Sequence, residues 1–197
     1  MRAVLTGDII NSREDNGWQS ELVSILDTYG KSPKDWEIYR GDSFQLAVDA
    51  GIALKAAIHI KAVIKMRAEL DVRIAIGLGD TTYDAAQITQ ANGSAFVHSG
   101  TAFDAIKNNT LVLQSDYKDL DETLNVMLAL ATLTMDNWPP VTAAIVKARL
   151  EAPELNQTEL SKQLAKAQSA ISKALSRAGY DEIHKMLTYY EKQLKTL

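Results

Sequence analysis

Apolar residues along this chain switch between two spacings, and the switches mark the elements. Ala3 to Leu5 is a short apolar run ending at Thr6-Gly7-Asp8, the pattern of a buried strand entering a loop. Trp18, Leu22, Val23, Ile25, Leu26 and Tyr29 recur with helical spacing, and Gly30 can close that helix. Trp36 to Tyr39 and Ser43 to Val48 alternate around Arg40-Gly41-Asp42, which predicts a β-hairpin with a tight turn. The pattern then predicts a long helix from about Gly51 to Glu69, a strand over Val72 to Leu78 and a polar loop over Asp80 to Asn92. A small-residue helix from Ser94 to Lys107, a strand at Leu111 to Leu113 and an amphipathic helix from Glu122 to Asn137 follow.

Strand, helix, hairpin, helix, strand is the order of the ferredoxin-like βαββαβ unit, an α+β arrangement with helices on one face of an antiparallel sheet. After Pro139-Pro140 every predicted element is helical. Val141, Ile145, Val146 and Leu150 mark a helix that ends before Pro153, and a helix–turn–helix pattern follows. The expected organisation is a ferredoxin-like domain over residues 1–138 and a small all-α domain over 139–197.

Charge sharpens that division. Residues 1–140 hold 12 Lys and Arg against 19 Asp and Glu, a balance of −7; residues 141–197 hold 9 against 6, a balance of +3. A basic tail points to an anionic partner, although small basic helices also arise without one. The absence of Cys removes disulfide scaffolds, thiol catalysis and Cys-ligated zinc, and His59, His98 and His184 lie far apart without ligand spacing. No signal peptide opens the chain, and its longest near-apolar run, Val126 to Leu133, is far short of the ~20 residues of a membrane span. These features point to a soluble cytoplasmic protein with no membrane partner.

In a βαββαβ sheet the end of the first strand and the hairpin turn lie side by side, which would bring Asp8 to Asp42. Two carboxylates there suit a hard divalent cation, Mg²⁺ or Mn²⁺, with oxygen sites left for water or phosphate. Backbone N–H groups of Ile10, Asn11 and Ser12 would face an anion if they open the next helix, and Arg40 adds positive charge. The same residues equally suit a simpler reading, in which Asp8 caps the helix and Gly41-Asp42 merely turns the chain.

In the tail, Thr158 can cap the first helix of the pair, Leu160 and Leu164 face inward, and Ala165 holds a turn position that is often Gly. Ile171 and Leu175 anchor the second helix and Gly179 stops it. The exposed residues of that second helix would be Gln168, Ser169, Ser172, Lys173, Ser176 and Arg177, a set able to read base edges and hold phosphates of duplex DNA. A three-helix bundle used for protein contact has the same pattern. The last helix sets Ile183, Met186, Leu187, Tyr190 and Leu194 on one stripe, which suits either core or a homodimer seam.

The segments "LTGDIINSR", "EIYRGDSFQLAV" and "VRIAIGLGD" resemble, in order, the palm domain shared by class III nucleotidyl cyclases and diguanylate cyclases. That resemblance spans about residues 1 to 115, and the chain is similar to the SatD-like family, which joins such a domain to a DNA-binding tail. The resemblance implies that Asp8 and Asp42 are metal-binding aspartates and that the front domain holds a nucleotide. The cyclase helix after the fourth strand carries an Asn and an Arg that steady the ribose and the developing phosphate charge. Aligned on "GSAFVHSGTAFD", those positions are Val97 and Thr101, which cannot supply such donors. Ser99-Gly100 resembles an "SG" of SatD-like proteins, and His98 reads as a packed or surface histidine rather than a base. The resemblance therefore implies a DNA-binding transcriptional regulator with a degenerate cyclase-like domain that binds a metal-nucleotide or mediates dimerisation. The alternative is an active nucleotidyl cyclase or related metal-dependent phosphotransferase; no catalytic residue is assigned.

Overall fold

The computed structural model describes residues 1–13 and 17–197, an α+β chain whose sheet has five strands. These are β1 (Arg2–Ile10), β2 (Trp36–Tyr39), β3 (Ser43–Asp49), β4 (Asp71–Gly79) and β5 (Leu111–Gln114), ordered β2-β3-β1-β4-β5. β1 runs antiparallel to both β3 and β4, and β5 is added parallel to β4. The strand expected at Ala3–Leu5 thus extends to Ile10, because Asp8 and Ile10 still pair across the sheet, opposite Arg73 and Asp71 of β4. Asp8 consequently lies within the strand and caps no helix.

Alternation along the central strands separates two faces. Ala3, Leu5 and Ile9 join Phe44, Leu46, Val48, Val72, Ile74 and Ile76 in the main core. Over that face lie α1 (Trp18–Asp27) and α2 (Ala50–Ile64). α2 is apolar nearly all round, and Ala53, Leu54, Ala57, Ile58 and Ile60 are all fully buried. A helix of that kind needs cover on every side. The sheet covers one side, and α1, α5 (Pro140–Glu151) and α8 (Tyr180–Leu194) cover the rest.

The opposite face carries Thr6, Asp8, Gln45, Arg73, Ala75 and Gly77, with α3 (Ser94–Ala105) laid across β1 and β4. Gly77 lets α3 come this close: a Cβ there would sit 2.2 Å from the Ala95 carbonyl oxygen and 2.3 Å from the Ser99 nitrogen. Ser99 is fully buried; it accepts a hydrogen bond from the Thr6 hydroxyl at 3.0 Å and donates to the Phe96 carbonyl at 3.1 Å. It serves as a bridge between helix and sheet.

α4 (Lys118–Met135) starts four residues before the expected Glu122 and lies along the edge strand β5. Asn125 there accepts from the Leu113 N–H at 2.9 Å and donates to its carbonyl at 2.8 Å, which blunts the open edge of the sheet. Buried Lys61 ties α2 to β4 and to the end of α4 through Asp71 at 2.6 Å, Asp136 at 2.7 Å and Thr110 at 3.1 Å.

Beyond Pro139-Pro140, α5 is followed by α6 (Gln157–Gln163), α7 (Gln168–Arg177) and α8. The hydrophobic core passes through the prolines without a break, from Leu128 and Trp138 to Ile145, Ile171 and Tyr190. Trp138 Nε1 donates to the Ala178 carbonyl at 3.1 Å, and the Tyr190 hydroxyl donates to the Ala50 carbonyl at 2.6 Å. The α8 stripe of Ile183, Met186, Leu187 and Tyr190 is buried in this core. Among the described residues no helix is long and apolar enough to cross a membrane.

Candidate functional site

Two places bring the expected residues together. At the first, the Ile9 N–H donates to the Asp42 carbonyl at 3.2 Å, so the hairpin turn closes against β1 as expected. That turn holds both Arg40 (φ 53°) and Gly41 (φ 92°) in left-handed conformations. A Cβ on Gly41 would meet nothing within 4 Å, so the glycine is needed there for its backbone angle alone. Ser12 donates to Asp42 Oδ2 at 2.7 Å, and Trp18 Nε1 holds the Ser12 carbonyl at 3.0 Å. Asn11, at φ 61°, donates through Nδ2 to the Glu69 carbonyl at 3.0 Å.

Among the described residues no helix N-terminus stands at this edge, where one was expected. Ile10 closes β1, Asn11 and Ser12 form a turn, and the next helix begins only at Trp18. Ile10, Asn11 and Ser12 nevertheless line a cleft of about 520 Å³ with Asp8, Asp42 and Arg73. A second cleft of about 320 Å³ shares Ser12, Arg13 and Asp42 and adds Arg40 and Gly41.

The carboxylates are unequally placed. Arg73 forks both Asp8 oxygens, Nε to Oδ1 at 2.9 Å and Nη2 to Oδ2, while its guanidinium lies 5.7 Å from the Phe103 ring centre. The hydrogen bond to Asp8 raises the Arg73 pKa above its ordinary value, against a smaller opposing effect of burial. With Asp8 so paired, a cation at this edge would compete with the Arg73 guanidinium for the Asp8 carboxylate. No group of three metal-ligating side chains converges among the described residues. Among the same residues, Arg13 and Arg40 have no ion-pair partner, so two guanidinium groups remain open to an anion.

On α3, Val97 is 58% exposed and Thr101 is also exposed, whereas the sheet-facing positions are Ala95, Ser99 and Ala102. His98 donates through Nδ1 to the Leu78 carbonyl at 2.7 Å and sets Nε2 at 3.4 Å from Asp116, a packed histidine.

The second place is the α6–α7 pair. Asn156, not Thr158, caps α6: its side chain accepts from Thr158 N and Glu159 N, and Glu159 returns a bond to Asn156 N at 2.8 Å. This capping box places the cap two residues before the expected one. Ala165 takes the left-handed turn conformation, φ 50°. Leu160, Ile171 and Leu175 are buried, while Gln168, Ser169, Lys173, Ser176 and Arg177 are exposed and Ser172 is half-exposed. Gln168 Nε2 donates to Gln157 Oε1 at 3.0 Å, which orients one side chain of the outward row. Arg149 holds the linker before α6 through the carbonyls of Ala152, Pro153 and Leu155, at 3.3, 3.0 and 2.5 Å, and lies 5.9 Å from the Tyr180 ring centre.

No protein-family model, curated protein or solved structure matches this chain. The residues themselves therefore carry the functional argument. Sequence reasoning missed Arg73, Arg13, Arg149 and Gln157. Arg73 had a usable signal, since pairing β1 with β4 puts it directly opposite Asp8. The Gln157–Gln168 contact had none, because only the turn conformation brings the two helix starts together.

Proposed function

We propose that the chain is a DNA-binding transcriptional regulator in which α7 reads duplex DNA and the Asp8–Asp42 edge takes a nucleotide-type anion. The observation that carries this reading is the α6–turn–α7 geometry, with a buried Leu160/Ile171/Leu175 seam and an outward row from Gln168 to Arg177. Such a second helix fits the major groove; Gln168 suits an adenine edge, Arg177 a guanine or phosphate, and Lys173, Ser169, Ser172 and Ser176 phosphates.

The antiparallel β2-β3-β1-β4 order supports a ferredoxin-like unit of the palm type, and with it the likeness to SatD-like proteins. Arg13 and Arg40 would meet phosphate at the two clefts. Mg²⁺ or Mn²⁺ enters this reading only where Asp8 exchanges Arg73 for the ion. Ligand and DNA would communicate through the α2 contacts with α5 and α8, by favouring one of two arrangements for which the ligand has different affinity.

Duplex binding measured by anisotropy across a salt series tests the DNA half. Lys173→Ala and Arg177→Ala should each lower affinity and reduce the salt slope by about one. A parent that binds duplex no better than the double variant defeats that half. Thermal shifts with nucleotides, with and without Mn²⁺, test the other half against Asp42→Asn and Arg13→Ala. If both variants match the parent in nucleotide and DNA affinity, the sensing role is lost.

A further inference from the structure

α6 and α7 each begin with a glutamine, and the two side chains meet. Gln157 opens α6 and Gln168 opens α7, each three residues before a fully buried anchor, Leu160 and Ile171. The left-handed Ala165 and the bond from the Lys166 N–H to the Ser161 carbonyl at 2.9 Å shape the turn between the helices, so the backbone itself brings the glutamines together. Both are exposed, and Gln168 Nε2 donates to Gln157 Oε1 at 3.0 Å. Among the described residues neither amide has another hydrogen-bond partner.

A glutamine amide carries two N–H donors and one acceptor oxygen. The bond to Gln157 takes one Gln168 donor and leaves one N–H beside the carbonyl oxygen. In the major groove adenine offers an acceptor, N7, next to a donor, the N6 amino group, whereas guanine offers two acceptors, N7 and O6. One donor and one acceptor match adenine. Guanine needs two donors, which Gln168 has only if it lets go of Gln157. Gln157 keeps both of its own N–H groups, which suit a phosphate oxygen, and a phosphate there would hold its Oε1 toward Gln168.

We propose that Gln157 is a positioning residue that makes Gln168 read adenine rather than guanine, while its own amide holds a phosphate of the duplex. This rests on α7 being the helix that enters the groove, and it names the base and the contact that selects it.

The parent chain is first used to select duplexes from a random-sequence library, which locates the position that Gln168→Ala ceases to distinguish. Duplexes with A·T or G·C at that position are then compared by anisotropy at fixed salt. The parent should favour adenine by about tenfold. Gln157→Leu frees the Gln168 amide to turn, so the preference should fall to about twofold or less. Gln157→Glu keeps an acceptor oxygen for Gln168 but replaces the phosphate donor with a negative charge. Both duplexes should then bind more weakly, with the preference for adenine retained. A merely structural role for Gln157 would weaken both duplexes equally in either variant and leave the ratio unmoved, which overturns the proposal. A parent that selects no sequence shows, before any variant is made, that the DNA reading has failed and the proposal with it. Where the parent does select, DNA binding stands but the proposal falls on any of three results: no position altered by Gln168→Ala, a base other than adenine at that position, or a Gln157→Glu chain that loses the adenine preference.

Discussion

Arg73 on β4 and Asp8 on β1 stand directly opposite each other in the sheet, and the guanidinium engages both carboxylate oxygens. The residue expected to hold a cation is therefore already held by one. Arg73→Met should release Asp8 and increase Mn²⁺ affinity at the edge, measured by calorimetry or by Mn²⁺ relaxation. The pair is partly exposed, so its loss should cost only about 1 kcal/mol in urea unfolding. Unchanged Mn²⁺ affinity would remove the metal from the account of this edge.

Ala165 occupies a left-handed turn position at φ 50°. An L-residue there is disfavoured relative to glycine by about 1 kcal/mol. Ala165→Gly should therefore stabilise the protein by up to that amount, less what glycine adds to the freedom of the unfolded chain. Denaturant midpoints at constant m-value give the comparison.

Gly77→Ala tests the close docking of α3. The added methyl would lie 2.2 Å from a backbone oxygen, and no side chain can yield to relieve that contact. The helix must move off the sheet, at a cost of about 2–3 kcal/mol. A melting temperature equal to the parent's would contradict the packing.

His59 supplies a pH dependence. Its Nδ1 meets the Tyr29 hydroxyl at 2.9 Å and its Nε2 meets Glu151 at 3.2 Å. Burial lowers its pKa below the ordinary 6.5; Glu151 opposes that effect, and Lys147 and Lys55 reinforce it. Below pH 6.5 the unfolded chain takes up the proton before the folded one, so stability falls as pH drops from 6.5 through the lower folded-state pKa. His59→Gln, which can keep both hydrogen bonds, should flatten that part of a melting-temperature profile. An identical slope in parent and variant would assign the effect elsewhere.

Local periodicity made part of this legible in advance. The hairpin from Trp36 to Val48 and the Leu160–Leu175 seam were readable because the residues that define them sit within one or two turns of each other. Asp8 and Asp42 do meet at one edge, as the strand order implied. What the sequence concealed depends on contacts between distant segments. Arg73 was reachable only by assuming the β1–β4 register, which also keeps Ile10 in the strand, and Arg149 and the Gln157–Gln168 contact depend on turns that no local pattern marks. The fate of apolar stripes was equally hidden. The one on α8 is core, whereas Val126, Leu130 and Leu133 are bare because the inner side of α4 already fills the space over β5.

The bond from Tyr190 to Ala50 joins residues far apart in the chain, and it closes the outer side of α2. During synthesis, a nascent chain that has reached only Pro139 has made all five strands and α1 but lacks α5 and α8, which complete the cover of α2. Its Ala- and Ile-rich surface then faces solvent until α5 and α8 have left the ribosome. A stalled or truncated product without α5 and α8 would present that surface to chaperones and to other nascent chains.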